Sequence, residues 1–195
     1  MKTVPYWTDR TPRPDGVTVE EPPPTADVVV IGAGVTGLTA ARRLAVLDRT
    51  VVVVDAMEIG EGASALNGGQ LNYGLKPSNA ALTKRFGPET TRAMWDASID
   101  AIDLVQRITT EDGFDADFRR SGAVSLGYRA DGAKSARAES RALKDGYGFE
   151  TTVVEGDELR SVIGSDAFAN GVISEVDAAV DPAKYTFGLA SGVAD

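Results

Sequence analysis

Residues 27–55, DVVVIGAGVTGLTAARRLAVLDRTVVVVD, restrict the possible folds more than any other stretch of this chain. They read in order as a strand, a glycine-rich turn, a helix, a second strand and a terminal acid. Val28, Val29, Val30 and Ile31 form an uninterrupted β-branched run, the pattern of a strand buried on both faces of a parallel sheet. Gly32, Gly34 and Gly37 follow. The first permits the tight turn out of the strand, the second lets backbone approach a pyrophosphate, and the third lets the helix lie close to the sheet. The helix start then points unpaired N–H groups and a positive dipole end toward phosphate. Val51–Val54 make the second strand, and Asp55 closes it about twenty residues after Gly34, where a carboxylate accepts the hydroxyls of an adenosine ribose. It would repel a 2′-phosphate, which disfavours NADP.

A glycine pattern alone is weak, since many tight strand-to-helix turns share it. Two strands, an acid at the right distance, and Leu38, Ala41, Leu44 and Ala45 on one helix face together make it a dinucleotide site. The bland reading of Asp55 is a solvated strand end. The candidate contact residues are Gly32, Gly34, Val35, Thr36 and Gly37 at the turn and helix start, with Asp55 and Ala56 at the end of the second strand.

Composition removes whole classes of chemistry. The chain of 195 residues is 43% hydrophobic and 25% charged, as in ordinary globular proteins, with a net charge of −9. Basic residues cluster no further than pairs such as Arg42-Arg43 and Arg119-Arg120, which argues against a nucleic-acid partner. No apolar run reaches the length of a membrane span. The opening MKTVPYWTDRTPRP lacks a signal peptide's hydrophobic region, so a cytoplasmic location is the default expectation. The chain has no Cys and no His. Disulfides, thiolate nucleophiles, zinc-thiolate sites, imidazole bases and covalent flavin links through either residue are therefore excluded, and no metal site is expected. Chemistry carried by a cofactor remains.

The chain divides into four stretches. Residues 1–26, with Pro5, Pro12, Pro14 and Pro22–Pro24, read as an extended arm pinned by Tyr6 and Trp7. Residues 27–77 hold the βαβ unit and a second glycine-rich loop, GEGASALNGGQLNYG, from Gly60 to Gly74. Residues 78–176 begin with a helical reading from Ser78 to about Asp112, where Pro88 sits near a helix start and Met94, Ala97, Ala101, Val105 and Ile108 form a packing stripe. Short strands are expected around Phe118–Arg120 and Ala123–Tyr128, then a helix over about Gly132–Asp145 stopped by Gly146, then a strand near Thr151–Val154. In residues 177–195, Asp181-Pro182 reads as a cap and first turn of a further helix.

The motifs IGAGVTGLTAARRL, VVVVDA and IGEGASALNGGQ, preceded by PYW and followed by VDPAKYTFGLA, resemble the N-terminal part of the FAD-dependent D-amino-acid oxidase superfamily. Within it the likeness is greatest to glycine/sarcosine-oxidase-like and gamma-glutamylputrescine-oxidase-like amine oxidoreductases, and it runs through nearly the whole chain. The resemblance implies an α/β, Rossmann-like FAD-binding fold, incomplete here, with an interleaved α+β substrate-side region. It implies FAD as cofactor and further contacts from Gly62, Ala63, Ser64, Asn67, Gly68, Gly69, Gln70 and Leu71 along the pyrophosphate, ribityl chain and flavin ring. It also implies hydride transfer from the carbon bearing an amine or amino-acid nitrogen to the flavin. No catalytic residue is assigned. Tyr73 and Lys76 are the polar side chains nearest the flavin loop, and either is more simply a surface residue. An NAD-dependent dehydrogenase is the rival enzyme reading, against which the Gly62–Gln70 loop argues.

Three positions depart from the family pattern. Asp48 stands where Gly is usual after the first helix, Asp55 where many members carry Glu, and Ala65-Leu66 where Gly-Arg often precedes the Asn. The family's later strands and most of its substrate cavity have no counterpart in this sequence. The chain is therefore expected to be an N-terminal fragment, a truncated product, or half of a split enzyme completed by a second chain. A non-catalytic nucleotide-binding remnant is the alternative.

Overall fold

The computed structural model describes residues 3–18, 21–129 and 131–194. Their elements are α1 (Tyr6–Arg10), β1 (Val28–Ile31), α2 (Val35–Ala45), β2 (Val51–Val54), β3 (Gln70–Leu71), α3 (Asn79–Phe86), α4 (Pro88–Glu111), β4 (Ala123–Gly127), α5 (Gly132–Tyr147), β5 (Thr152–Glu155), α6 (Gly156–Ile163), β6 (Asn170–Ser174), β7 (Ala178–Ala179) and α7 (Pro182–Ala194). None of these helices is long and apolar enough to cross a membrane. They fall into two compact units. One contains residues 1–70, 104–119 and 179–195, and the other residues 71–103 and 120–178. Residues 104–119, inside the 78–176 stretch, thus group with residues 1–70 and 179–195.

In the first unit β1 and β2 are parallel, pairing Val28 with Val51 through Ile31 with Val54. α2 covers one face of this pair, as its apolar stripe demands, with Leu38 and Ala41 buried. Burial of the strand on both faces, expected from its β-branched run, is not found: Val29 is 58% and Ile31 87% exposed. The run specifies a strand, but covering its second face takes another element, and none of the described residues does so. The core joins Leu38, Ile108, Ala116, Tyr185 and Leu189, with Leu104 and Val105 packed against them, which is why the last turns of α4 belong here. Asp48 takes the left-handed conformation after α2, at φ 56°.

The arm also departs from expectation. Residues Tyr6–Arg10 form a short helix begun by extended Pro5, whose carbonyl accepts from Asp9 N–H at 3.0 Å. A proline just before a helix costs no hydrogen bond, so the composition that suggested an extended arm is compatible with this turn. Trp7 does pin the arm. Tyr6 does not, being exposed with its ring edge-on to Trp7.

The second unit holds a three-stranded antiparallel sheet in the order β4-β6-β5. β6 and α6 are additional to the elements expected from the sequence. The helical reading from Ser78 divides at Gly87 into α3 and α4. α5 runs through Gly146 and stops at Gly148, whose φ of 65° supplies the left-handed cap, with its N–H donating to the carbonyls of Leu143 and Lys144. The strand expected around Phe118–Arg120 is a single antiparallel bridge from Arg119 to Ala179, which belongs to the first unit. Tyr73, Trp95, Tyr147 and Phe149 form a continuous ring cluster in the second unit.

Candidate functional site

The site begins where β1 turns into α2. Gly32, at φ 109°, donates its N–H to Val54 O at 2.7 Å, locking the turn to the second strand. A Cβ on Gly37 would lie 1.9 Å from Gly32 O, so only glycine lets α2 approach this closely. Gly34 caps the helix in extended conformation, and Leu38 N–H donates to its carbonyl at 2.9 Å. A Cβ there would meet only the Ser64 hydroxyl, at 2.9 Å. Val35, Thr36 and Gly37 occupy the first turn, where N–H groups have no intrahelical acceptor.

Asp55 closes the turn from the other strand. Its Oδ2 accepts from Ala33 N–H at 2.6 Å and its Oδ1 from Met57 N–H at 2.9 Å. These bonds, the Ala33 one first, hold the carboxylate below its ordinary pKa. Each oxygen keeps a second lone pair for a ligand. Ala56 follows, exposed.

The second glycine-rich loop returns to this point. Ser64 Oγ accepts from Val35 N–H at 3.1 Å, so both loops meet at the start of α2. Gly62 and Ala63 begin the turns in which Ala65 N–H and Leu66 N–H donate back to their carbonyls, at 3.3 and 3.2 Å. Asn67 uses its amide inside the loop: Nδ2 donates to Ala63 O and Ser64 O, and Oδ1 accepts from Gly69 N–H at 2.8 Å. Its structural task is thus to shape the loop. Gly69, at φ 71°, lies where a Cβ would be 2.1 Å from Val180 O, and its own carbonyl accepts from Val180 N–H. Gly68 and Gln70 are exposed and Leu71 is half-buried. Leu66 is 46% exposed, an apolar side chain in an otherwise polar loop.

Several contacts of this loop had no local signal. Trp7 Nε1 donates to Asn67 O at 2.8 Å, and Arg13 Nε donates to Ile59 O at 2.8 Å. Ala65 is fully buried against Ala183 and Phe187, with Trp7 packed on the cluster. Val4, Pro5, Thr8, Arg13, Gly60 and Leu66 help line an open cleft of about 800 Å3 on the arm side of the loop. The glycine turn and Asp55 are not among its walls, so the phosphate-type donors lie outside that cleft. Tyr73 and Lys76 fall in the second unit. Tyr73 sits in the second unit's ring cluster, where burial, then the Asp177 charge, raises its pKa. Lys76 is exposed.

The donor set fits a dinucleotide: the first-turn N–H groups of Thr36 and Gly37, which have no intrahelical acceptor, open surface at Gly32, and a carboxylate at the end of β2. Comparison with known proteins agrees. Residues 27–195 match the model of the family described as FAD dependent oxidoreductase. A probable oxidoreductase OrdL from Rhizobium meliloti is 31% identical over 85% of this chain and 39% of its own length. The gamma-glutamylputrescine oxidoreductase of Escherichia coli is 26% identical over 87% of this chain and 39% of its own length. Among solved structures, L-amino acid deaminase from Proteus vulgaris with its specific insertion sequence deleted superposes with a TM-score of 0.71 at 23% identity, covering 90% of this chain and 44% of that one. Glycine oxidase from Bacillus cereus does so with a TM-score of 0.65 at 22% identity, covering 87% and 44%. These two show a shared fold. The chain spans about two-fifths of the length of the curated relatives it matches.

Proposed function

Because the chain belongs to the FAD-dependent oxidoreductase family, we propose that its first unit holds FAD along the two glycine-rich loops, for an oxidoreductase acting on the CH–NH or CH–NH2 group of an amine or amino acid. The meeting of the loops carries this reading: Ser64 Oγ lies 3.1 Å from Val35 N at the start of α2. A nicotinamide dinucleotide needs only the first loop.

In this assignment Gly34, Thr36 and Gly37 offer N–H groups to the pyrophosphate, Gly32 and Val35 shape the turn beside it with their own N–H groups engaged by Val54 O and Ser64 Oγ, and Asp55 with Ala56 receives the adenosine ribose. Gly62, Ala63 and Ser64 border the phosphates and ribityl chain. Asn67, Gly68, Gly69 and Gln70 border the flavin, with Leu71 next in sequence, Asn67 by fixing backbone that Gly68 leaves unobstructed while Gly69 packs on Val180 O. FAD, when bound, supplies a two-electron acceptor for the hydride on the amine-bearing carbon, leaving an imine for water to hydrolyse. Since the chain matches 39% of its curated relatives' length, the complete amine site is proposed for these residues together with the part of those relatives that the chain does not match, in the same or a second polypeptide. A second reading, nucleotide binding without catalysis, is favoured by Leu66, an exposed apolar side chain at a position where the family resemblance implies a polar one.

The test is separate titration with FAD and NAD, followed by anaerobic flavin bleaching with a panel of amines and amino acids. Bleaching is measured on the chain alone and after adding a polypeptide that covers the relatives' remaining length. FAD binds more tightly than NAD if the reading is right, and bleaching requires the added polypeptide. Tighter NAD binding overturns the cofactor assignment, and bound FAD that no amine bleaches in either setting favours the non-catalytic reading.

A further inference from the structure

We infer that the N-terminal arm is a clasp for the cofactor loop, and that Trp7 and Arg13 are positioning residues for FAD. The inference rests on the assignment of that loop to FAD.

Two side chains of the arm donate to main-chain carbonyls near the two ends of one segment, Arg13 Nε to Ile59 O and Trp7 Nε1 to Asn67 O, both at 2.8 Å. Everything between those carbonyls is held at both ends. A chain of hydrogen bonds then runs from the arm to the helix. Trp7 Nε1 donates to Asn67 O, Asn67 Nδ2 donates to Ser64 O at 2.9 Å, and Ser64 Oγ accepts from Val35 N–H in the first turn of α2. A loop released at Asn67 would lose the alignment of Ser64 with that turn.

The rest of the arm supports the same role. The Trp7 ring packs on the cluster of Ala65, Ala183 and Phe187, so the arm presses the loop's buried alanine against α7. Thr11 Oγ1 donates to Asp181 Oδ2 at 3.4 Å, tying the arm to the residue that caps α7. The ion pair from Arg13 to Glu61 is half exposed and contributes little by itself. The bond to Ile59 O is the directional one. Without the arm, residues 59–67 would keep their own turns but lose the external donors that select one arrangement, and FAD binding would have to order them.

The experiment compares wild type with Trp7→Phe, which keeps an aromatic ring and removes the N–H, with Arg13→Met, and with the double variant, all in the full chain. FAD affinity is read by flavin fluorescence, apo-protein stability by thermal melting, and loop exposure by glutamyl-endopeptidase cleavage after Glu58 and Glu61. Each single variant weakens FAD about three- to tenfold. Apo melting stays near wild type, cleavage at the two glutamates accelerates, and saturating FAD restores the wild-type flavin spectrum. Arg13→Lys, which keeps the charge but loses the Nε–H, falls between Arg13→Met and wild type. Wild-type affinity and wild-type cleavage in the double variant overturn the clasp, as does weaker affinity explained wholly by a lower melting temperature. If wild type binds no FAD, the cofactor assignment fails, and cleavage of the apo protein decides the clasp by itself.

Discussion

Asp55 and Ala33 meet at 2.6 Å, carboxylate to backbone N–H, so the acid ending β2 also fastens the turn that follows β1. Asp55→Ala removes the proposed ribose contact and that fastening together. FAD affinity falls by about tenfold or more, while Asp55→Glu, the commoner residue in the family, stays near wild type. Equal FAD titrations for wild type and Asp55→Ala would remove the ribose from this position.

The same bond sets a pH dependence. The Ala33 and Met57 N–H groups lower the Asp55 pKa beneath the ordinary 3.8. Its contribution is therefore complete above about pH 4 and fades only as pH falls through the lowered value. At the alkaline end the sign reverses for Tyr185, whose pKa burial pushes up from 10.0 to about 12. Its neutral form contributes stability fully below pH 10 and loses it as pH rises toward 12. Circular dichroism against pH should show this loss in wild type and less of it in Tyr185→Phe.

Gly37 and Gly34 should separate folding from binding. Gly37→Ala forces a Cβ against Gly32 O, 1.9 Å away in backbone that cannot swing aside. It lowers stability by roughly 2 kcal/mol or more, about 4 °C or more in melting temperature. Gly34→Val places its side chain where the pyrophosphate is assigned and abolishes FAD binding, yet leaves α2 in place, since a Cβ there meets only the Ser64 hydroxyl. Retained FAD affinity in Gly34→Val would place the phosphates elsewhere.

What was legible in the sequence follows the range of the forces involved. β1, the turn, α2 and β2 are specified by neighbours in sequence, and so is the cap at Asp181. β6 was not legible. Asn170–Ser174 is a five-residue strand with Gly171 inside it, and it exists because β4 and β5 pair with it from both sides. α1 is one short turn held by Trp7 packing on Ala65 and Phe187, and no periodicity over five residues announces that. Within the site, residue types were readable but their tasks were not. Asn67 offered an amide to a ligand on paper, whereas its hydrogen bonds to Ala63, Ser64 and Gly69 become visible only once the loop is closed.

The cap itself can be measured. Asp181 Oδ1 accepts from Ala183 N–H and Lys184 N–H at 2.9 and 3.0 Å, satisfying two donors of the first turn of α7. Asp181→Ala should cost about 0.5–2 kcal/mol, seen as a melting temperature lower by roughly 2–6 °C, and Asp181→Asn should recover most of it. An unchanged melting curve for Asp181→Ala would mean that α7 is held by its packing alone.

The uncovered face of β1 and β2 makes the last prediction. Val29, Ile31 and Val54 are 58%, 87% and 40% exposed, and Val29 and Ile31 lie on one side of the strand while Val28 and Val30, on the other, are half-buried. Apolar side chains gathered on one sheet face lower their free energy by leaving water, and the described residues offer them no cover. Each strand also has one edge unpaired within this two-stranded sheet, a second route to pairing between copies. The chain should therefore self-associate at roughly 100 µM. Threonine keeps the β-branched shape while adding a hydroxyl, so Val29→Thr with Ile31→Thr should preserve the strand and shift the protein toward monomer. Sedimentation velocity across a concentration series distinguishes the cases. A wild-type chain that stays monomeric, or a double variant that associates as strongly, would show that this face does not drive association.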